Sequence, residues 1–471
     1  MIQHFFLEKI YENFAYEPND EQKEALSRIV DFLFDKENES IFVLKGYAGT
    51  GKSSLIGAMV KTMTEMKQKT VLLAPTGRAA KVFSAYADHS AYTIHRKIYR
   101  QKRFSNEPTG FVSVDNLHKD TLFIVDEASM ISNGSGDSFI FGTGRLLDDL
   151  IQYVYTGENC KLMLIGDTAQ LPPIGQEDSP ALNEEVLRSY GLLVSSFILT
   201  QIVRQENNSG ILYNATFLRE AIEKNRTDRF PILKLSGFSD IVNVSGDMLI
   251  EEISSAYDRD GIMETIVLSR SNKRSNIYNE GIRNRILYRE EEITAGDLLM
   301  ITKNNYYWSE GIEQVDFLAN GEMVEVLRVK KITELYGFKF CDVLVRHIDY
   351  DIELDLRIML DTLRTDTSGL TKEQSDRLFY TVLEDYSDIT TRSGKMKKMK
   401  ADPYFNALQV KYGYAITCHK AQGGEWKNVF LDLGYVTEEY MDDNFYRWLY
   451  TAFTRASQKL YLVNFPDNFF G

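Results

Sequence analysis

Eight consecutive residues, Gly46-Tyr47-Ala48-Gly49-Thr50-Gly51-Lys52-Ser53, carry the densest chemistry in the chain and fit the pattern G-x-x-x-x-G-K-[ST]. Glycines let the backbone curl until successive N–H groups face one anion, and a helix that starts there adds the positive end of its dipole. The apolar run at 41–44 leads into the loop. Beyond it Leu55, Ile56, Met59, Val60 and Met63 fall on one helical face. A strand, a glycine loop and a helix in that order predict a phosphate cradle built from Gly46, Ala48, Gly49, Thr50, Gly51, Lys52, Ser53 and Ser54. Lys52 is expected to reach the β- and γ-phosphates of ATP, and the Ser53 hydroxyl to hold Mg²⁺.

Two further strand ends carry polar groups suited to the same reaction. Phe123-Ile124-Val125-Asp126-Glu127 closes an apolar run with two acids. An aspartate there holds Mg²⁺ through water opposite Ser53, and the glutamate beside it polarises the attacking water. Leu164-Ile165-Gly166-Asp167-Thr168-Ala169-Gln170 ends a third run. Gln170 is placed to orient that water, although alone this stretch reads as a polar loop closed by Pro172 and Pro173.

The elements that must position these groups alternate. Apolar runs at 41–44, 71–74, 122–125 and 162–165 are separated by helical patterns up to about residue 205, which predicts a parallel sheet covered on both faces. Runs at 266–268, 414–417, 429–433 and 460–463 predict a second α/β domain. Between them, residues 325–405 change character: alternating apolar positions flank a turn near Tyr336-Gly337, as in antiparallel hairpins or a small barrel. A helical stretch at 372–385 and a basic loop at 395–400 follow. A turn-rich insertion, 97–120, interrupts the first domain, and a Gly/Ser-rich loop, 132–144, follows the acid pair.

Further strings appear in a fixed order along nearly the whole chain. They are Asn19-Asp20-Glu21-Gln22, Ala74-Pro75-Thr76-Gly77-Arg78-Ala79-Ala80-Lys81, Thr93-Ile94-His95-Arg96, Leu199-Thr200-Gln201-Ile202-Val203-Arg204-Gln205, Thr417-Cys418-His419-Lys420-Ala421-Gln422-Gly423-Gly424-Glu425 and Tyr450-Thr451-Ala452-Phe453-Thr454-Arg455-Ala456. With the phosphate loop and acid pair, the chain resembles a superfamily 1 helicase of the 5′→3′ branch, the RecD-like and Dda-like enzymes (superfamily 1B). The resemblance implies an α/β fold of two RecA-like parallel-sheet domains, with a short pin insertion in the first and an SH3-like β domain inserted in the second. The expected boundaries are 1–205, then 206–324 with 406–471, and 325–405 for the insertion.

It also implies roles. Gln22 reads adenine, Glu425 touches the ribose, and Arg204 and Arg455 are arginine fingers. Pro75, Thr76, His95, Arg270, Thr417 and His419 match positions on the DNA strand, and Phe104 or Phe111 would tip the pin. Tyr306-Tyr307-Trp308 reads as core packing ahead of base stacking. The implied activity is an ATP- and Mg²⁺-dependent DNA helicase that moves 5′→3′ on single-stranded DNA and opens forked duplex in repair, recombination or replication. An RNA helicase, a bare translocase and a nucleotide-gated subunit of a larger repair complex remain open, as does a single-strand binding protein as partner.

Bulk properties bound this reading. The chain has 471 residues and a net charge of −14, which argues against a general nucleic-acid binder and predicts weak, salt-sensitive contacts along a local basic track. No apolar run reaches membrane-spanning length, and the first 20 residues lack the basic-then-apolar order of a signal peptide. Three scattered cysteines form neither a ligand set nor a disulfide framework, so a reducing, cytoplasmic compartment is expected.

Overall fold

Strict alternation of buried side chains splits the first sheet into two faces. Ile41, Val43, Phe123, Val125, Leu162 and Leu164 pack on one side, against the helix Leu146–Tyr155. Phe42, Leu44, Leu122, Ile124, Met163 and Ile165 pack on the other, against the helices Asp20–Phe34, Lys52–Glu65 and Gly77–Ala87. A strand buried on both faces reads as a continuous apolar run because each side of its pleat meets a helix. The computed structural model describes residues 2–37, 39–101, 111–134, 142–203, 209–312, 315 and 317–470.

The first sheet has the order Ala91–Thr93, Lys69–Ala74, Thr121–Val125, Lys161–Gly166, Ser40–Gly46, Leu193–Leu199, with every pair parallel. The second has the order Ala415–Thr417, Thr265–Ser269, Trp426–Asp432, Ala456–Val463, Ile241–Val244, again all parallel. In open parallel sheets ligands collect at the carboxyl ends of the strands. The phosphate loop, the Thr76 turn, Asp126, Asp167 and Thr200 all follow such ends in the first sheet.

The β insertion is a closed barrel of Leu298–Ile301, Met323–Leu335, Phe338–His347, Ile352–Met359 and Leu408–Tyr412. It is therefore wider than the expected 325–405, because its first and last strands had been assigned to the second α/β domain. Leu298–Ile301 is four buried apolar residues, which look alike in a barrel and in a parallel sheet; the antiparallel pairing of Met300 with Lys411 settles the matter. The long hairpin turns at Tyr336 (φ 56°) and Gly337 (φ 74°), two left-handed residues that match the strand twist. The expected basic loop at 395–400 is the last part of a helix, Arg392–Lys400. Its Met399 is buried among Phe338, Phe340, Leu378 and Val382, so burying the methionine face orders the lysines.

The expected pin begins as a hairpin, Tyr99–Gln101 against Phe111–Ser113; Phe104 lies outside the described residues, and Phe111 pairs with Gln101 through its backbone. In the 132–144 loop, residues 135–141 likewise lie outside them. No helix among the described residues is long and apolar enough to cross a membrane, and Cys160, Cys341 and Cys418 are free and buried.

One ion cluster fastens the barrel to the second sheet. Asp297 is fully buried and accepts from Arg283 at 3.0 and 2.9 Å, Arg289 at 2.8 Å, Tyr414 at 3.0 Å and the Thr294 backbone at 2.9 Å. Removing the carboxylate leaves two guanidiniums without their counter-charge in a dry site. Asp297→Ala should cost about 3–5 kcal/mol in denaturant unfolding; a loss below about 1 kcal/mol would show that the site admits water.

Candidate functional site

The phosphate loop has the backbone its sequence demands. Gly49 (φ 78°) and Gly51 (φ 82°) are left-handed, and a Cβ on Gly51 would lie 2.4 Å from the Gln22 amide nitrogen. Gly51 caps the helix Lys52–Glu65 without a side-chain acceptor, so its first N–H groups stay open to an anion. The Lys52 ammonium lies across the loop, donating to the carbonyls of Gly46 at 2.7 Å and Tyr47 at 2.9 Å. A cleft of about 290 Å³ opens here, lined by Ala48, Gly49, Gly51, Lys52, Ser53, Ser54, Asp126, Glu127, Gln170, Glu425 and Arg455 among others. Residues distant in sequence thus meet in one cleft; Gly46 and Thr50 shape the loop without lining it.

The acids are held differently from one another. Asp126 accepts from the Tyr86 hydroxyl at 2.6 Å and from the Glu127 backbone at 2.8 Å. Glu127 has φ 52°, a left-handed turn that turns its carboxylate off the strand line at a cost of about 1 kcal/mol. Burial pushes both carboxyls up, Glu127 to about 6, while the nearby Arg455 charge pulls Glu127 the other way. Ser53, Asp126 and Glu127 present only oxygen donors, the set a hard divalent cation such as Mg²⁺ prefers. With both Asp126 oxygens already accepting, a shell of water and phosphate oxygens suits that ion. The Gln170 side-chain oxygen is buried and without a partner among the described residues.

From the second domain, Arg455 reaches the cleft with its guanidinium braced on the carbonyls of Thr451 and Gly424 and the Thr454 hydroxyl, each at 3.1 Å. Glu425 is exposed at the rim. Arg204 lies outside the described residues. Gln22 is not in the lining. Its oxygen accepts from the Asn19 backbone and its nitrogen donates to the Thr50 carbonyl at 3.1 Å, so it braces the loop from behind.

Sequence reading missed the direct hydrogen-bond links across the cleft. The Tyr450 hydroxyl accepts from the Ala48 N–H at 2.9 Å and donates to Asp167 at 2.6 Å, joining the second domain to the phosphate loop and a third strand end. Thr451 accepts from the Leu171 backbone at 2.8 Å, and Gln422 donates to the Leu171 carbonyl at 2.8 Å. Arg78 donates to the Glu425 carbonyl at 2.9 Å and stacks 3.8 Å above Trp426. The only signal in the sequence was that Tyr450 and Arg78 fall inside recognised strings.

A second cleft, of about 730 Å³, runs between both sheets and the barrel. Thr76, Gly77, Arg78, Arg270, Thr417, His419 and Asn320 line it. Thr76 caps the helix Gly77–Ala87, accepting from Ala79 N–H, and burial lowers the His419 pKa, keeping that ring neutral at pH 7. Two expected contacts are elsewhere. Pro75 does not line this cleft, and the His95 ring packs against Tyr99 and Phe317, with burial lowering its pKa to about 4. His95 was selected by its string, but the short helix Ile94–Ile98 turns it toward the aromatic core. Tyr306 and Trp308 also pack inward, Trp308 donating to the Asn406 carbonyl at 2.8 Å.

The Tyr450–Asp167 pair gives a direct test. Tyr450→Phe leaves one oxygen of the buried Asp167 carboxylate and a loop N–H without their partner, so unfolding stability should fall by about 1–3 kcal/mol. A double-mutant cycle with Asp167→Ala should return a coupling above about 1 kcal/mol; additive losses would mean that the two groups do not depend on each other.

The family described as AAA domain matches residues 17–229, and the UvrD-like helicase C-terminal domain matches residues 412–463. The uncharacterized protein R530 of Acanthamoeba polyphaga mimivirus is 24% identical over 515 residues, covering 94% of this chain and 99% of that one. The ATP-dependent RecD2 DNA helicase of Deinococcus radiodurans is 23% identical over 89% of this chain, which spans 46% of RecD2. The ATP-dependent DNA helicase dda of Enterobacteria phage T4 is 22% identical over 70% of this chain and 73% of its own length. The first match overlies the first parallel sheet, the second falls on the closing strands of the second, and the named relatives are RecD-like and Dda-like: the chain is similar to superfamily 1B helicases.

Proposed function

We propose that this chain is an ATP- and Mg²⁺-dependent DNA helicase that moves 5′→3′ along single-stranded DNA and separates duplex ahead of it. The observation that carries the reading is that the nucleotide cleft is built from two domains. The loop, Lys52, Asp126, Glu127 and Gln170 come from the first sheet, Arg455 and Glu425 from the second, and the strand-sized cleft crosses the same boundary. A nucleotide held there is gripped by both domains, so binding draws them together and hydrolysis lets them part.

The roles follow from position. Open N–H groups of the loop and Lys52 hold the phosphates. Glu127 takes the proton of the water that attacks the γ-phosphate, and the unpartnered Gln170 oxygen orients that water. Arg455 meets charge leaving on the γ-phosphate, and the resemblance assigns a second cation of this kind to Arg204, which lies outside the described residues. Mg²⁺, held by Ser53 and through water by Asp126, would neutralise the β- and γ-oxygens. Thr76, Arg270, Thr417 and His419 face the tracked strand, and backbone and hydroxyl contacts of this kind hold phosphate without reading sequence. The partners this reading requires are single-stranded and forked DNA; a single-strand binding protein or a repair subunit fits beside them.

Two measurements test this. Lys52→Ala should abolish DNA-stimulated ATP turnover, at least a hundredfold, while thermal unfolding stays cooperative; retained turnover would remove the site assignment. Strand displacement should occur on a duplex carrying only a 5′ single-stranded tail. Displacement from a 3′ tail alone would reverse the polarity, and ATP turnover on DNA with neither duplex opened would leave a translocase or a nucleotide-gated subunit.

A further inference from the structure

Beside the strand cleft lies a second chamber of about 580 Å³ that the reading above does not use. The two are continuous: Pro173, Ile174, Arg270 and His419 line both. Arg270 stands at the junction. Its guanidinium carbon is 5.5 Å from the ring centre of Phe445 and 5.7 Å from those of Tyr440 and Trp448. Phe445 and Trp448 are buried, while Tyr440 is 55% exposed and Ile174, on the facing loop, is 81% exposed. Arg270 is itself exposed and makes no hydrogen bond or ion pair among the described residues. The guanidinium thus lies within cation–π reach of three rings, with no directed hydrogen bond among the described residues to aim it as a fork at an anion.

The charge around it separates two ligands that an arginine takes. Glu177, Glu439 and Asp442 share the chamber wall, and only Asp442 is engaged locally, accepting from the Phe445 backbone at 2.7 Å. Three carboxylates repel a phosphate drawn into the chamber. A neutral, planar base with polar edges is not repelled, and it stacks on a guanidinium or a tyrosine ring.

We propose that Arg270 and Tyr440 form a nucleobase-stacking subsite: one base of the tracked strand turns out of the cleft into this chamber and lies on the Arg270 plane, with Ile174 closing the other side. This rests on the DNA-binding reading above and changes the expected part of Arg270 from a phosphate contact to a base contact. Stacking is indifferent to base identity because every base has a π-face, so the subsite grips without imposing sequence.

The test compares an oligothymidylate with an oligomer of equal length containing abasic sugars, at fixed salt and without nucleotide, for the full chain and for Arg270→Lys, Arg270→Ala and Tyr440→Ala. The full chain should bind the thymine-bearing strand about tenfold more tightly. Arg270→Lys keeps the charge and loses the plane, so it should lose that preference as completely as Arg270→Ala, and the slope of affinity against salt should stay unchanged. Tyr440→Ala should reduce the preference part-way. If Arg270→Lys binds like the unmodified chain while Arg270→Ala lowers the salt slope by about one, Arg270 is a phosphate contact and the subsite is overturned. Equal binding of the two oligomers by the full chain overturns it as well. Binding of neither oligomer instead removes the DNA reading on which it rests.

Discussion

The Asp167 carboxylate is 1% exposed, and a buried carboxylate without partners is not tolerated. One oxygen accepts from the Ala169 backbone, a neighbour in the same loop; the other accepts from Tyr450, which the other domain brings. The same hydroxyl receives the Ala48 N–H of the phosphate loop. A single phenol therefore satisfies the first domain's buried charge and sets one of the loop's donors. The helix Asp443–Phe453 cannot leave without exposing both. The shape of the phosphate cradle is in this sense a property of two domains, although every residue of its recognition string lies in one.

Around that link the two sheets divide the work by the same geometric rule. Parallel strands end on one side of each sheet, and their loops face each other across the boundary. The barrel, fastened by Asp297, closes the strand cleft from above, with Glu322 at its entrance accepting from the Ala319 backbone and paired with His347. A Cβ on Gly77 would come within 2.7 Å of a Glu322 carboxylate oxygen, so helix and barrel meet closely here and a larger residue would have to displace that side chain.

What could be read from the sequence was what is local. The phosphate loop is contiguous, and its glycines, lysine and serine declare their geometry without knowledge of anything distant. The central strands were legible because burial on two faces writes an unbroken apolar run. Leu193–Leu199 was not seen, because an edge strand with alternating exposure and two serines resembles a loop. The barrel limits failed because Leu298–Ile301 and Leu408–Tyr412 carry no mark of which sheet they join. Gln22 and His95 sit in the expected strings, but their hydrogen bonds and ring contacts are set by folding and leave both outside the linings of the two clefts. Tyr450 and Asp167 are 283 residues apart, and nothing in either neighbourhood names the other.

The helix Gly77–Ala87 begins at Thr76 in the strand cleft, and near its far end Tyr86 holds Asp126 in the nucleotide cleft. One rigid element thus has an end in each site. Linkage then imposes a symmetry that no detail of the chemistry alters: if nucleotide changes the affinity for the strand by some factor, the strand changes the affinity for nucleotide by the same factor. Tyr86 is the residue that joins this helix to the acid of the nucleotide cleft.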